Sequence, residues 1–165
     1  MSFKQTALYF DDPVEPEVER LIKEAGLHYG EAEAERLLHR AYFRAPESLL
    51  VLVALYRYYF YQHRLEDALQ VADRALTVAA ARLEFPADWR ELRPVFLGQG
   101  ALQSFGLLRF YLHTLKAAGY INLRLDRIDE GRAMLNKLIE LDSQDRLGGR
   151  ALLAVVSDGR SDEAA

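Results

Sequence analysis

Apolar residues recur along this chain at spacings of three and four. One such face carries Val18, Leu21, Ile22 and Ala25, and the next carries Ala34, Leu38 and Ala41. Further faces follow at Leu52, Leu55, Tyr56 and Tyr59, at Ala68, Ala72 and Ala75, at Leu115, Ala118, Gly119 and Asn122, and at Leu135 and Leu138. A period of 3.6 residues gathers such positions on one side of an α-helix. No alternating stretch is long enough for a strand. The prolines at 13, 16, 46, 86 and 94 stand at the edges of the periodic segments, where a missing amide hydrogen costs least. The pattern predicts helices over 14–28, 31–44, 48–63, 65–83, 101–125, 128–141 and 145–157.

The faces also repeat. A shift of 34 residues carries Val18, Leu21, Ile22 and Ala25 onto Leu52, Leu55, Tyr56 and Tyr59, and Ala34, Leu38 and Ala41 onto Ala68, Ala72 and Ala75. A shift of 63 carries the second set onto Leu115, Ala118, Gly119 and Asn122 and onto Gly131, Leu135 and Leu138. The turn Arg64-Leu65-Glu66-Asp67-Ala68 parallels Arg127-Ile128-Asp129-Glu130-Gly131. Each unit reads as a helix, a tight turn and an antiparallel helix. Small residues early in the second helix allow close approach, and neither pair buries its apolar faces alone, so units stack.

This arrangement resembles the tetratricopeptide repeat family. The segment LKAAGYINLRLDRIDEGRAMLNKLIELDSQDR is the nearest match, and the first unit ends on Pro46 as the pattern asks. The resemblance implies an all-α fold, a short superhelix of about seven helices stacked as antiparallel pairs. It divides the chain into a flexible segment 1–12, a single domain 13–157 and a flexible tail 158–165. Within the domain the repeats fall at 15–48, 49–81 and 112–145, the insert at 82–111 and a closing helix at 145–157. In the insert, a short helix is expected after Pro86 with Asp88 at its cap, then a break at Gly98 and Gly100. Its Phe85, Trp89, Val95 and Phe96 either cover the side of the stack or close over its groove.

In such stacks the first helix of each unit lines the concave side. The residues expected to bind a partner there are Lys23 in the first unit, Arg57 and Tyr61 in the second, and Arg109, His113, Lys116, Tyr120 and Arg124 on the long third-unit helix. The last five fall within about 80° on a helical wheel. Arg64 extends the second-unit stripe. Cations interleaved with tyrosines suit an acidic peptide, through charge-assisted hydrogen bonds and apolar contact. Of the aromatic run Tyr56 to Tyr61, Tyr58 and Tyr61 cannot share one buried face, so one is expected to be exposed to a ligand, a neighbouring subunit or the insert.

Charge and composition narrow the function. The chain has 165 residues, a net charge of −4 and no cysteine. Disulfide scaffolds and thiolate chemistry are excluded, and nucleic-acid binding is not expected. The acids concentrate early, ten against six bases in the first fifty residues. The chain starts without a basic, then apolar, leader and has no apolar run able to span a bilayer, which points to a cytoplasmic protein. The four histidines form no metal motif, and no nucleophile elbow or phosphate loop is present. The expectation is a non-enzymatic, cofactor-free interaction module, an adaptor or assembly chaperone. Its alternatives are a homodimeric scaffold subunit and a small-molecule-binding helical domain.

Overall fold

A computed structural model describes residues 10–163. Among them are seven α-helices and no strand: α1 (Pro16–Leu27), α2 (Ala32–Arg44), α3 (Leu49–Tyr61), α4 (Leu65–Leu83), α5 (Val95–Arg124), α6 (Ile128–Leu141) and α7 (Gly149–Glu163). Of the two segments expected to be flexible, 1–9 and 164–165 lie outside the described residues. The backbone of 158–163, expected to fray, continues α7, and Asp12 is held by three partners. Its carboxylate accepts from Ser48 Oγ at 3.1 Å, from the Leu50 amide at 2.9 Å and from Arg82 at 2.8 Å. Asp12 and Ser48 together satisfy open amides at the start of α3.

Packing runs from each helix to its neighbours in the chain, with added contact between α1 and α3 and between α5 and α7. Helices far apart in sequence do not meet, so the described residues form a stack and not a bundle about a common axis. The odd-numbered helices make one row and the even-numbered helices the other. Most positions equated by the 34- and 63-residue shifts share their burial. Ala34, Ala68 and Gly131 are all buried where paired helices approach, as are Leu21, Leu55 and Ala118 on the first helices. Gly131 has no room for a side chain, since an added Cβ would stand 2.6 Å from Leu123 Cδ2 and 2.9 Å from the Gly119 carbonyl.

The two matching turns are superimposable in their backbone angles. His63 and Asp126 adopt left-handed conformations, with φ of 58° and 61°. Arg64 and Arg127 follow at φ −90° and −91°, and each amide bonds back to the first helix, to the carbonyls of Tyr59 and Asn122.

The insert departs from expectation at one point. A single 3-10 turn, Trp89–Glu91, follows Pro86, and the Asp88 carboxylate caps it by accepting from the Arg90 amide. Gly98 and Gly100 do not break the chain; both lie inside α5. The interruption is at Ser104, which is extended (φ −163°, ψ 105°) and whose hydroxyl accepts from the Leu107 amide. A capping hydroxyl that restarts a helix supplies a stronger punctuation than an isolated glycine. Gly100 serves packing instead. An added Cβ would sit 2.7 Å from the Phe85 ring, and that ring is held edge-on between Tyr111 and Phe96 at centroid distances of 5.5 and 6.4 Å.

The insert also ties to α6. Arg90 pairs with Glu130 at 2.6 Å, and the Lys137 ammonium donates to the Leu92 carbonyl at 2.8 Å. Phe85 and Leu92 are buried, Trp89 and Phe96 pack against the core, and Val95 points outward. These contacts fill the side of the even-numbered row. Helix α7 starts at Gly149, four residues after the expected Asp145. Asp145 takes a left-handed turn conformation (φ 52°), and Asp142 accepts from the amides of Arg146 and Leu147.

Candidate binding trough

An open cavity of about 390 Å³ lies between α1 and α3, where the concave side was expected. The helical period dictates which residues reach it. On α1 the inward-tilted positions are Glu19, Ile22, Lys23 and Gly26; on α3 they are Leu50, Ala54 and Arg57. Ala25, Leu38 of α2 and Tyr29 complete the lining. The floor is therefore aliphatic, and the rim carries one carboxylate and two cations. The cavity exists because Ala25, Gly26 and Ala54 are small. Nothing lies within 4 Å of a Cβ placed on Gly26.

The rim charges differ in their partners. Lys23 is exposed and pairs with Glu19 at 3.1 Å, one turn earlier. Arg57 is half-buried beside Tyr29, whose hydroxyl donates to the Arg57 carbonyl at 3.2 Å. No carboxylate among the described residues holds its guanidinium.

Beside the cavity aromatic rings cluster on α3. Tyr61, half exposed, stands 6.4 Å from Tyr29 and 5.8 Å from Phe60, both edge-on. Tyr58 is buried against Tyr29 at 6.0 Å, so the two tyrosines do divide as their spacing requires. Tyr56 stacks on Phe60 at 5.9 Å. Burial, then the nearby Tyr120 and Tyr61 phenols, push Tyr56 up to about 12. Tyr120 accepts a hydrogen bond from Arg124 at 2.9 Å, and the same guanidinium lies 5.7 Å from its ring.

Further along α5, His113 sits between Arg109 and Lys116. Partial burial, followed by these two cations, lowers its pKa below the ordinary histidine value. The Lys116 ammonium reaches toward Gly148, at the turn before α7. The eight residues expected at the trough thus fall into two groups. Lys23 and Arg57, with Tyr61 next to them, belong to the cavity; Arg109, His113, Lys116, Tyr120 and Arg124 form a strip on α5.

Arg64 leaves the stripe it was expected to extend. It donates to Glu35 at 2.8 Å and Asp67 at 2.9 Å and covers the Tyr59 ring at 4.7 Å, on the side of α2. Because it follows the left-handed His63, its direction is set by the turn and not by the period of α3. Tyr59 in turn contacts His39 Nε2 at 2.7 Å, which absorbs the His39–Glu35 pair into a packing network. Glu19, Ile22, Ala25, Gly26, Tyr29, Leu38, Leu50 and Ala54 were not anticipated. The one signal for them is a run of small residues facing inward beside a cation, at Gly26 and Ala54.

Among the described residues no cluster of histidines and carboxylates could hold a metal ion, and no helix is long and apolar enough to cross a membrane. A protein of Azotobacter chroococcum mcd 1, described as an uncharacterized 19.8 kDa protein in the nifW 5′ region, is 47% identical over 156 residues. The match covers 94% of this chain and 87% of that protein. No family model matches the chain, and no solved structure matches it.

Proposed function

The chain belongs to the family of the Azotobacter chroococcum 19.8 kDa protein, and we propose that it is a non-enzymatic interaction module. On this reading its helix pairs are tetratricopeptide-like, and the trough of α1, α3 and α5 takes a peptide or client protein, as in an adaptor or assembly chaperone. The observation that carries the reading is the coincidence of an apolar cavity with cations and tyrosines on one row of stacked helices. On this reading the cavity and the α5 strip serve one extended ligand rather than a small substrate. The triple variant Arg57→Ala, Lys116→Ala, Arg124→Ala is expected to fold normally by circular dichroism and to lose its client in affinity capture from the native host. Capture unchanged in the triple variant would refute the trough.

One observation favours a second reading, self-association as a scaffold subunit. Val95, Leu102 and Phe105 are exposed near the start of α5, at 81%, 91% and 66%. Light scattering over a concentration series separates the two: a monomer at high concentration removes the scaffold.

A further inference from the structure

Resting on that reading, we propose that the cavity between α1 and α3 is the specificity pocket of the trough, and that it takes a bulky aliphatic side chain followed at once by a carboxylate in the bound peptide. The floor of Ile22, Ala25, Leu38, Leu50 and Ala54 offers carbon to an inserted side chain. Such a floor rewards burial in proportion to the apolar area removed from water.

The carboxylate follows from the rim. Lys23 is neutralised by Glu19, whereas the half-buried Arg57 has no carboxylate from the described residues. A guanidinium in this state forms two parallel hydrogen bonds to a planar anion, and at an apolar edge those bonds are strengthened. With Glu19, Lys23 and Arg57 the rim carries one net positive charge, so a basic peptide is repelled and an acidic one is drawn in.

The occupant is a peptide and not a free fatty acid because the cavity is an open trough. At its edge stand Tyr29 and Tyr61, ring to ring at 6.4 Å, whose hydroxyls and ring faces suit backbone carbonyls and flat peptide groups. An acyl chain running beyond the cavity would meet those hydroxyls instead of carbon.

The test uses the full ¹⁵N-labelled chain and an acetylated, amidated hexapeptide, Gly-Ser-Leu-Glu-Gly-Ser, at millimolar concentration. The amides of Ile22, Gly26, Ala54 and Arg57 are expected to shift together. Serine in place of the peptide's leucine, or lysine in place of its glutamate, should weaken binding about tenfold or more. Gly26→Leu places a side chain into the open space and should fill the pocket, with a loss of similar size and a melting temperature at or above that of the parent. Arg57→Gln removes the charge without filling the pocket and should lose the preference for glutamate over lysine while keeping the one for leucine.

The proposal is overturned if the hexapeptide shifts none of these amides, if Gly26→Leu binds it as the parent does, or if the lysine peptide binds equally well. Dodecanoate shifting the same amides while the hexapeptide does not would also overturn it, in favour of a lipid. If the hexapeptide fails while the triple variant still loses its client, the pocket assignment falls and the trough stands.

Discussion

The joint between the first and second helix pairs and the joint between the second and third use the same elements and close in opposite ways. At the second joint the insert brings Phe85 and Leu92 into the core, and Gly100 gives up its side chain so that the Phe85 ring fits between Tyr111 and Phe96. At the first joint the space between α1 and α3, on the other row, is lined by Ala25, Gly26 and Ala54 and remains open. A filled joint fixes the stacking of two pairs through dense packing. An open one forgoes that contact energy and keeps a surface on which a partner can be the missing filling.

The sharpest way to break this comparison is to empty the filled joint. Phe85→Ala removes a buried ring from two aromatic neighbours and should cost about 3–5 kcal/mol. For a chain of this size that lowers the melting temperature by about 10 °C, read by calorimetry. A loss under about 1 kcal/mol would mean that the insert only drapes over the stack.

The next largest effect concerns what braces the open joint. Asp12 ties the segment before α1 to the start of α3 and the end of α4, through Ser48, Leu50 and Arg82. Asp12→Ala leaves the Leu50 amide without its acceptor and should cost about 2 kcal/mol. Hydrogen exchange should then rise in the first turn of α3.

Two identical substitutions should have opposite signs. Gly100→Ala forces a Cβ to within 2.7 Å of Phe85 and should destabilise by about 1–3 kcal/mol. Gly26→Ala meets open space on a helix and should stabilise by about 0.5–1 kcal/mol, since alanine loses less backbone freedom on folding. The same sign at both sites in thermal melts would erase the distinction between the joints.

The smallest effect is electrostatic and lies beyond both joints. His113 is lowered by burial and by Arg109 and Lys116, so the unfolded chain binds its proton more readily than the native one. This histidine therefore withdraws stability as pH falls below the ordinary histidine value of about 6.5. Lys116→Gln should raise the His113 midpoint in an NMR titration, and an acidic ligand on the strip should raise it further.

The stack itself was legible before any coordinates. The 34- and 63-residue registers named equivalent buried positions from Val18 to Leu138, because helix period and small-residue spacing are properties of the chain alone. The insert was harder to read. Gly98 and Gly100 looked like a break, yet Gly100 answers to a ring fifteen residues earlier, and Ser104 divides the helix. Arg64 misled for a similar reason, since its turn points it to Glu35 and Asp67 across the pair.

Sequence by itself determined the number and pairing of helices and the absence of thiol chemistry. Those follow from local periodicity and composition, which need no knowledge of distant neighbours. Tertiary structure alone decided that one joint is plugged and the other hollow, and which rim cation keeps a free charge. A cavity is the space left between elements after they pack, and no stretch of chain encodes it without the others in place.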